Sequence, residues 1–120
     1  MNILLVDDND DVREITALLL RDSGYNVLEA SSGNAALDLL DAHHAIDLLV
    51  VDFAMPKMSG TQLLERARVA HPELRAVFIT GYDDHPGING IFADEIVIRK
   101  PFTADQLVFA VRRASGQSEE

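Results

Sequence analysis

The sequence predicts an α/β fold in which five parallel strands form a doubly wound sheet with helices on both faces. Apolar runs typical of buried strands alternate with helical patterns about every ten to fifteen residues, as βα units on a parallel sheet require. Two of these runs, Ile3–Val6 and Leu48–Val51, end directly in acidic residues. Functional crevices of doubly wound sheets lie at the carboxyl ends of the strands, so the acids indicate where a site would form.

The first helix is predicted to follow the first strand directly. The acidic stretch at residues 8–11 suits the positive end of a helix dipole, and Gly24 is suited to end the helix. Apolar residues at helical spacing predict its buried face: Val12, Ile15 and Leu19. The next run, Asn26–Glu29, has only two strong apolar residues, which predicts a strand at the sheet edge.

The second helix is predicted to begin at Ser32-Gly33. Its inner side is expected to contain Ala36, Leu39 and Leu40. The pair His43-His44 at its end could suggest a metal site, but adjacent helical residues point about 100° apart. No third ligand lies nearby, so interaction with the helix dipole or a surface role is favoured over metal binding.

The second half of the chain continues the alternation. Pro56 excludes further regular pairing after the third strand, and Ser59-Gly60-Thr61-Gln62 is a capping box that opens a helix through about Ala70. Arg75–Thr80 is predicted to be the fourth strand. The segment Tyr82–Gly90 contains one proline and two glycines, which predicts a short or irregular fourth helix with above-average mobility.

A fifth strand and a last helix complete the pattern. Ile96-Val97-Ile98 is the predicted strand, and Thr103-Ala104-Asp105-Gln106 is a second capping box. The helix that follows has an apolar stripe at i, i+3, i+4 and i+7: Leu107, Ala110, Val111 and Ala114. Residues 1–114 are therefore expected to form one domain, and residues 115–120 a polar tail or linker stub.

Composition narrows the classes of function. A net charge of −10 gives no basic face for a phosphate backbone, so direct nucleic-acid binding is not expected. There is no cysteine, which excludes disulfides and thiolate metal sites. Neither a signal peptide nor a long apolar run is found, so we expect a cytoplasmic domain without membrane contact.

Polar residues follow four of the five predicted strands. Asp7 and Asp8 come after the first, Asp52 after the third, Thr80 after the fourth and Lys100 after the fifth. Three carboxylates that converge repel one another, and oxygen ligands favour Mg²⁺. A carboxylate beside a metal, a hydroxyl and an ammonium suits phosphoryl transfer, with Asp52 as the nucleophile.

Each of these residues also has a simpler interpretation. Asp7 and Asp8 could only cap the first helix, Thr80 could be an ordinary strand-end residue, and Lys100 could be surface. Their joint placement at the strand ends favours the functional interpretation.

The sequence resembles the receiver domain of two-component response regulators over about residues 2–113. The matching pieces are Asp7-Asp8, the run Val50–Gly60 around Asp52, Thr80-Gly81 and Lys100-Pro101-Phe102. The motif Phe53-Ala54-Met55-Pro56 resembles the corresponding motif in receiver domains of hybrid histidine kinases and in single-domain regulators.

The resemblance implies a flavodoxin-like sheet with strand order 2-1-3-4-5. It implies that a histidine kinase or histidine phosphotransfer domain donates a phosphoryl group to Asp52 in a Mg²⁺-dependent reaction. The metal would be held by Asp8, Asp52 and the backbone carbonyl of Ala54, with Asp7 acting largely through water. Thr80 and Lys100 would complete the site, and the Lys100-Pro101 bond would be cis.

The resemblance further implies a signalling domain that catalyses only its own phosphorylation and dephosphorylation, and that switches conformation. A downstream protein or a second copy of the chain would be its other partner. Ala54 offers no polar side chain to orient a hydrolytic water, so self-dephosphorylation would rely on other groups.

Two departures from the family pattern concern the output face. Val97 replaces an aromatic residue that usually rotates when the threonine moves. The glycine- and proline-rich Tyr82–Gly90 segment suggests the hypothesis that phosphorylation orders it.

Two alternatives remain open. A degenerate receiver would act only as a phosphorylation-independent interaction module, which Val97 favours and the intact acid, threonine and lysine set disfavours. A hydrolase or nucleotide-binding protein is disfavoured because the loop after the first strand lacks phosphate-cradling glycines. An aspartate-nucleophile phosphatase would also need a second acid where Ala54 stands.

Overall fold

A computed structural model describes residues 1–42, 45–81 and 96–116, and within these ranges the chain forms five strands and four helices. The strands are β1 (Asn2–Val6), β2 (Asn26–Ala30), β3 (Leu48–Asp52), β4 (Arg75–Thr80) and β5 (Ile96–Arg99). The helices are α1 (Asp10–Asp22), α2 (Gly33–Ala42), α3 (Gly60–Ala70) and α4 (Ala104–Ser115). All strand pairs are parallel and the order is β2-β1-β3-β4-β5, so the expected fold class and strand order are confirmed.

The register of the central strands aligns their carboxyl ends. Val6 of β1 lies opposite Val51 of β3, so the residues that follow, Asp7 and Asp52, are also neighbours. Asp52 in turn lies opposite Ile79 of β4. The acids that the sequence places after separate strands therefore meet at one end of the sheet.

The core has two layers, one on each face of the sheet. Leu4, Val6, Leu49, Val51 and Phe78 pack with α2 and α3. Ile3, Leu5, Leu48, Val50 and Val77 pack with α1 and α4. Because both faces of the sheet are covered, the central strands are continuous apolar runs rather than alternating ones.

The buried face of α1 differs from the prediction. Ile15 is 60% exposed, whereas Thr16, Ala17 and Leu20 are buried. Thr16 can be buried because its hydroxyl donates to the Val12 carbonyl at 2.8 Å, inside the helix itself. The sequence pattern counts Thr16 as polar. The predicted apolar face is therefore displaced by one residue along the helix from the face that is buried in the structure.

The helix ends follow the sequence closely. Both predicted capping boxes are confirmed, with Ser59 and Thr103 as N-caps that accept from the third residue of their helices. Gly24 follows α1 with φ of +96°, a conformation that a glycine adopts without strain. The predicted stripe of α4 is buried along its full length. β4 is as predicted, and the other four strands are each one residue longer.

Two predictions fall outside the described residues: the irregular fourth helix at Tyr82–Gly90 and the role of His43-His44. Among the helices that the structure describes, none has the length and apolar character needed to cross a bilayer.

Candidate functional site

Three carboxylates meet at the carboxyl ends of β1 and β3. Asp7, Asp8 and Asp52 each place one carboxylate oxygen within 4.8 Å of the others. Asp7 and Asp52 are buried, at 1% and 6% exposure, while Asp8 faces solvent. The site is therefore an acidic cluster that is buried at Asp7 and Asp52 and exposed at Asp8.

The loop between β1 and α1 fixes the first two acids. The Asp7 amide donates to the Ala30 carbonyl at 3.1 Å, and the Asn9 amide donates to Asp7 Oδ1 at 2.9 Å. The N-cap of α1 is Asn9, whose side chain accepts from the Val12 amide at 3.0 Å. Since Asn9 fills the capping role, the interpretation of Asp7 or Asp8 as the helix cap is wrong.

Arg13, which lies in α1, also contacts this loop, although the sequence pattern did not reveal it. Its Nη1 donates to the main-chain carbonyl of Asp7 at 2.9 Å and contacts Asp10 Oδ1 at 2.9 Å. Its Nε donates to Glu29 Oε1 at 3.2 Å. A basic residue in the first turn of a helix opposes the dipole, and that was the available signal.

Asp52 is held by the loop that follows β3. The Ala54 amide donates to Asp52 Oδ1 at 3.3 Å. The start of α3 passes so close that a Cβ on Gly60 would lie 2.9 Å from the Asp52 carbonyl oxygen. Only glycine fits this approach, which places the first turn of α3 directly against the end of β3.

Lys100 contacts two of the carboxylates. Its Nζ lies 3.6 Å from Asp52 Oδ2 and 3.9 Å from Asp7 Oδ2. The Lys100 amide donates to the Thr80 carbonyl at 2.8 Å, which continues the β4–β5 ladder into the site. The Lys100-Pro101 bond is cis, as the family resemblance implied.

Thr80 lies at the end of β4 and is 2% exposed. It comes one residue after Ile79, the register partner of Asp52. The structure thus brings Asp7, Asp8, Asp52 and Lys100 into contact distance, and places Thr80 and Ala54 beside them in the chain segments that border Asp52.

Burial changes the acidity of the cluster. Desolvation raises the pKa of Asp52 from 3.8 to about 6, although the Lys100 ammonium opposes this and the Asp7 carboxylate adds to it. The pKa of Asp7 is also raised, mainly by burial, against the hydrogen bond from the Asn9 amide and the charge of Lys100. Two buried carboxylates with one ammonium leave excess negative charge, which favours a cation.

The donor set suits a hard divalent cation. All the ligand atoms are oxygens, the three carboxylates converge, and Asp8 leaves one side open to water. Mg²⁺ retains several waters and takes one or two carboxylates, and among the residues that the structure describes the cluster contains only carboxylates. The residues therefore fit the metal that the sequence suggested.

Taken together, these features define a class of protein: a doubly wound α/β domain with an acidic site and a lysine at the carboxyl ends of its strands. A family model for the response regulator receiver domain matches residues 3–112. The chain belongs to this family of two-component signalling domains.

Individual relatives agree with this assignment. Sensor kinase CckA of Brucella abortus is 35% identical over 113 residues, which are 92% of this chain and 12% of the kinase. Transcriptional regulatory protein DltR of Streptococcus agalactiae is 35% identical over 122 residues, which cover 98% of this chain and 53% of that protein. The chain thus spans about half, or much less, of the length of these curated relatives.

Solved structures show the same architecture. A response regulator receiver domain protein from Clostridium thermocellum superposes with a TM-score of 0.87 at 28% identity, covering 98% of this chain and 96% of the other. The resemblance to receiver domains and the expected fold are both confirmed.

Proposed function

We propose that Asp52 accepts a phosphoryl group from a phosphohistidine, carried by a histidine kinase or a histidine phosphotransfer domain, in a Mg²⁺-dependent reaction. In this reaction the phosphorus–nitrogen bond breaks and a phosphorus–oxygen bond to Asp52 forms. The bonding pair leaves with the imidazole, so the product is an acyl phosphate. The observation that carries the proposal is the convergence of Asp7, Asp8, Asp52 and Lys100 at one end of the sheet.

Asp52 suits the role of nucleophile. It sits at the end of a buried strand, and the Ala54 amide and Lys100 hold one carboxylate oxygen each. This arrangement fixes the direction of the carboxylate, which reduces the entropy cost of in-line attack. The ionised form that attacks is favoured above the raised pKa of about 6.

Asp8, Asp52 and the backbone carbonyl of Ala54 would hold Mg²⁺, with Asp7 acting mainly through water. The metal, when bound, neutralises charge on the carboxylates and on the phosphoryl oxygens. Lys100 would stabilise one phosphoryl oxygen with its ammonium group, and the Thr80 hydroxyl would hydrogen-bond another.

We further assign this function to residues 1–114 acting as a domain in the cytoplasm. The buried stripe of α4 ends at Ala114, which supports that boundary. The phosphorylated form would switch conformation and act on a downstream protein or a second copy of the chain, without binding nucleic acid or membrane.

The test is direct phosphorylation by a small donor. The protein is incubated with phosphoramidate or acetyl phosphate and MgCl₂, and its intact mass is measured with and without EDTA. We expect a gain of one phosphoryl group that requires Mg²⁺ and is absent in Asp52→Asn. Asp38→Asn, which alters an exposed acid on α2, should be phosphorylated like the unmodified chain.

A phosphorylation-independent interaction module is the second candidate. Val97 favours it, because this residue lies in β5 opposite Phe78 and provides no aromatic ring to rotate. If the intact chain gains no phosphoryl group from either donor while it remains folded, phosphotransfer is excluded and this second function is supported.

A further inference from the structure

We propose that Arg13 is a positioning residue for the cation site: its guanidinium holds the β1–α1 loop, and with it Asp7 and Asp8, in the geometry that binds the metal. The inference rests on the proposed Mg²⁺-dependent function and assigns to it a residue outside the carboxylate cluster. Arg13 would act through the main chain of Asp7 rather than by touching the metal.

Arg13 connects the β1–α1 loop to the start of α1 and to β2. Its Nη1 donates to the Asp7 carbonyl, and the same nitrogen contacts the Asp10 carboxylate, both at 2.9 Å. Its Nε donates to Glu29 at 3.2 Å, on the neighbouring strand β2. A planar guanidinium can satisfy these three acceptors together, whereas an ammonium group lacks that fixed fork.

Burial strengthens this arrangement. The Arg13 side chain is only 15% exposed, and its two carboxylate partners hold it in one orientation. The Asp7 carbonyl that it binds belongs to a residue that is 1% exposed, and the carboxylate of this residue lies 3.9 Å from Lys100 Nζ. A shift of that main chain would therefore move both Asp7 and the adjacent Asp8.

Arg21 provides a matched comparison within the same chain. It also lies on α1, donates to Glu29, there through Oε2 at 3.2 Å, and binds one main-chain carbonyl, that of Val27 at 2.8 Å. The two arginines therefore tie α1 to β2 in parallel. They differ in one respect: the carbonyl held by Arg13 is in the site, and that held by Arg21 is not.

The positive charge of Arg13 and its hold on the β1–α1 loop have opposite effects on metal affinity. Removing a positive charge near the carboxylates would strengthen cation binding, while loosening the loop would weaken it. Arg13→Lys keeps the charge and removes the fork, so it isolates the positional effect. Arg13→Gln removes both, and its comparison with Arg13→Lys measures the charge effect.

The experiment is a Mg²⁺ titration of the full chain, followed by amide chemical shifts in NMR spectra, for the unmodified protein, Arg13→Lys and Arg21→Lys. We expect the dissociation constant to rise about tenfold in Arg13→Lys, as for other groups that orient metal ligands. In Arg21→Lys it should match that of the unmodified chain. Hydrogen exchange of the Asn9 amide, measured without metal, should accelerate only in Arg13→Lys.

Each possible result of this experiment either supports or overturns the assignment of Arg13 as a positioning residue. If Arg13→Lys binds Mg²⁺ as the unmodified chain does, Arg13 is a tether like Arg21 and the inference is wrong, while the proposed function stands. Equal weakening in both variants would also overturn it, because that would reflect a general loosening of α1. If the unmodified chain shows no Mg²⁺ binding, the proposed function and this inference both fail.

Discussion

At the scale of single residues, the site combines charged groups, each of which would reduce the stability of the fold if it were buried unpaired. Asp7 and Asp52 are carboxylates buried close together, and Lys100 neutralises only part of their charge. Their raised pKa values are the measure of that cost. Protein stability is therefore reduced at the proposed site of phosphorylation.

Asp52→Asn should stabilise the metal-free protein in a pH-dependent way. The folded-state pKa of about 6 exceeds the ordinary aspartate pKa of 3.8, so the folded chain binds the proton more tightly than the unfolded chain. The resulting destabilisation is absent below pH 3.8, develops as the pH rises, and is complete above pH 6. It amounts to at most about 3 kcal/mol.

Urea unfolding in EDTA, followed by circular dichroism from pH 4.5 to 7.5, tests this prediction. The gain in unfolding free energy of Asp52→Asn over the unmodified chain should increase from pH 4.5 to about pH 6 and then level off. A gain that is the same at every pH would show that the Asp52 carboxylate is not desolvated.

Lys100→Met should separate metal binding from phosphoryl transfer. The ammonium group lies within 4 Å of two carboxylates and competes with a cation for them. We expect tighter Mg²⁺ binding together with slower phosphorylation by phosphoramidate. Arg66→Met, which removes a charge from the exposed side of α3, should change neither quantity, and slower phosphorylation without tighter binding would contradict the competition.

At the scale of elements, the loops at the site are bounded by helix caps that the sequence encodes locally. Ser59 begins α3 after the Asp52 loop, and Thr103 begins α4 after Lys100 and Pro101. Both caps are reciprocal, because the Ser59 and Thr103 amides donate in turn to the side-chain oxygens of Gln62 and Gln106. Each cap thus fixes the point at which a loop of the candidate site ends.

Ser59→Ala and Thr103→Ala should each lower the free energy of unfolding by about 1 kcal/mol, because an amide of the first helical turn loses its acceptor. Thermal or urea unfolding measures the loss. Ser31→Ala, at an exposed serine outside the caps, should have almost no effect. A similar loss in all three variants would show that the caps are not the cause.

Most of the elements could be predicted because their signals are local. Strand runs, capping boxes and Gly24 depend on a few neighbouring residues. The buried face of α1 could not be predicted, because Thr16 satisfies its own hydroxyl within the helix and the pattern counted it as polar. For Arg13 the only sequence signal was a basic residue near the start of a helix; its contacts could not be predicted, since Asp7 and Glu29 are brought together only by β1–β2 pairing.

The convergence of polar side chains at one end of the sheet was predicted for a different reason. Parallel strands place their carboxyl ends together, so Asp7, Asp52, Thr80 and Lys100 could be grouped from topology alone. The direction and size of the Asp52 pKa shift depend on burial and on nearby charges. These quantities exist only in the folded structure.

At the scale of the whole molecule, metal binding should be coupled to folding. The unfolded chain separates Asp8 from Asp52 by more than forty residues, so it has no preformed site and binds the cation weakly. The folded chain brings these acids within 4.8 Å of each other. Folding and cation binding therefore favour each other.

Mg²⁺ should raise the unfolding free energy, by about 2.7 kcal/mol at a concentration one hundred times its dissociation constant. Thermal unfolding over a series of MgCl₂ concentrations measures this, with NaCl at equal ionic strength as the control. Asp52→Asn should lose most of the increase. An equal increase in NaCl would show that screening of the net charge of −10, not site binding, is responsible.

The pair of arginines around Glu29 also affects how the molecule behaves toward its own copies. β2 is the outermost described strand on its side of the sheet, and such strands can recruit a strand from another chain and start aggregation. Glu29 places a charge in that strand, and the Val27 carbonyl already accepts from Arg21. An incoming strand that pairs with the Val27 carbonyl would have to displace the Arg21 guanidinium, which disfavours intermolecular β-pairing at this edge.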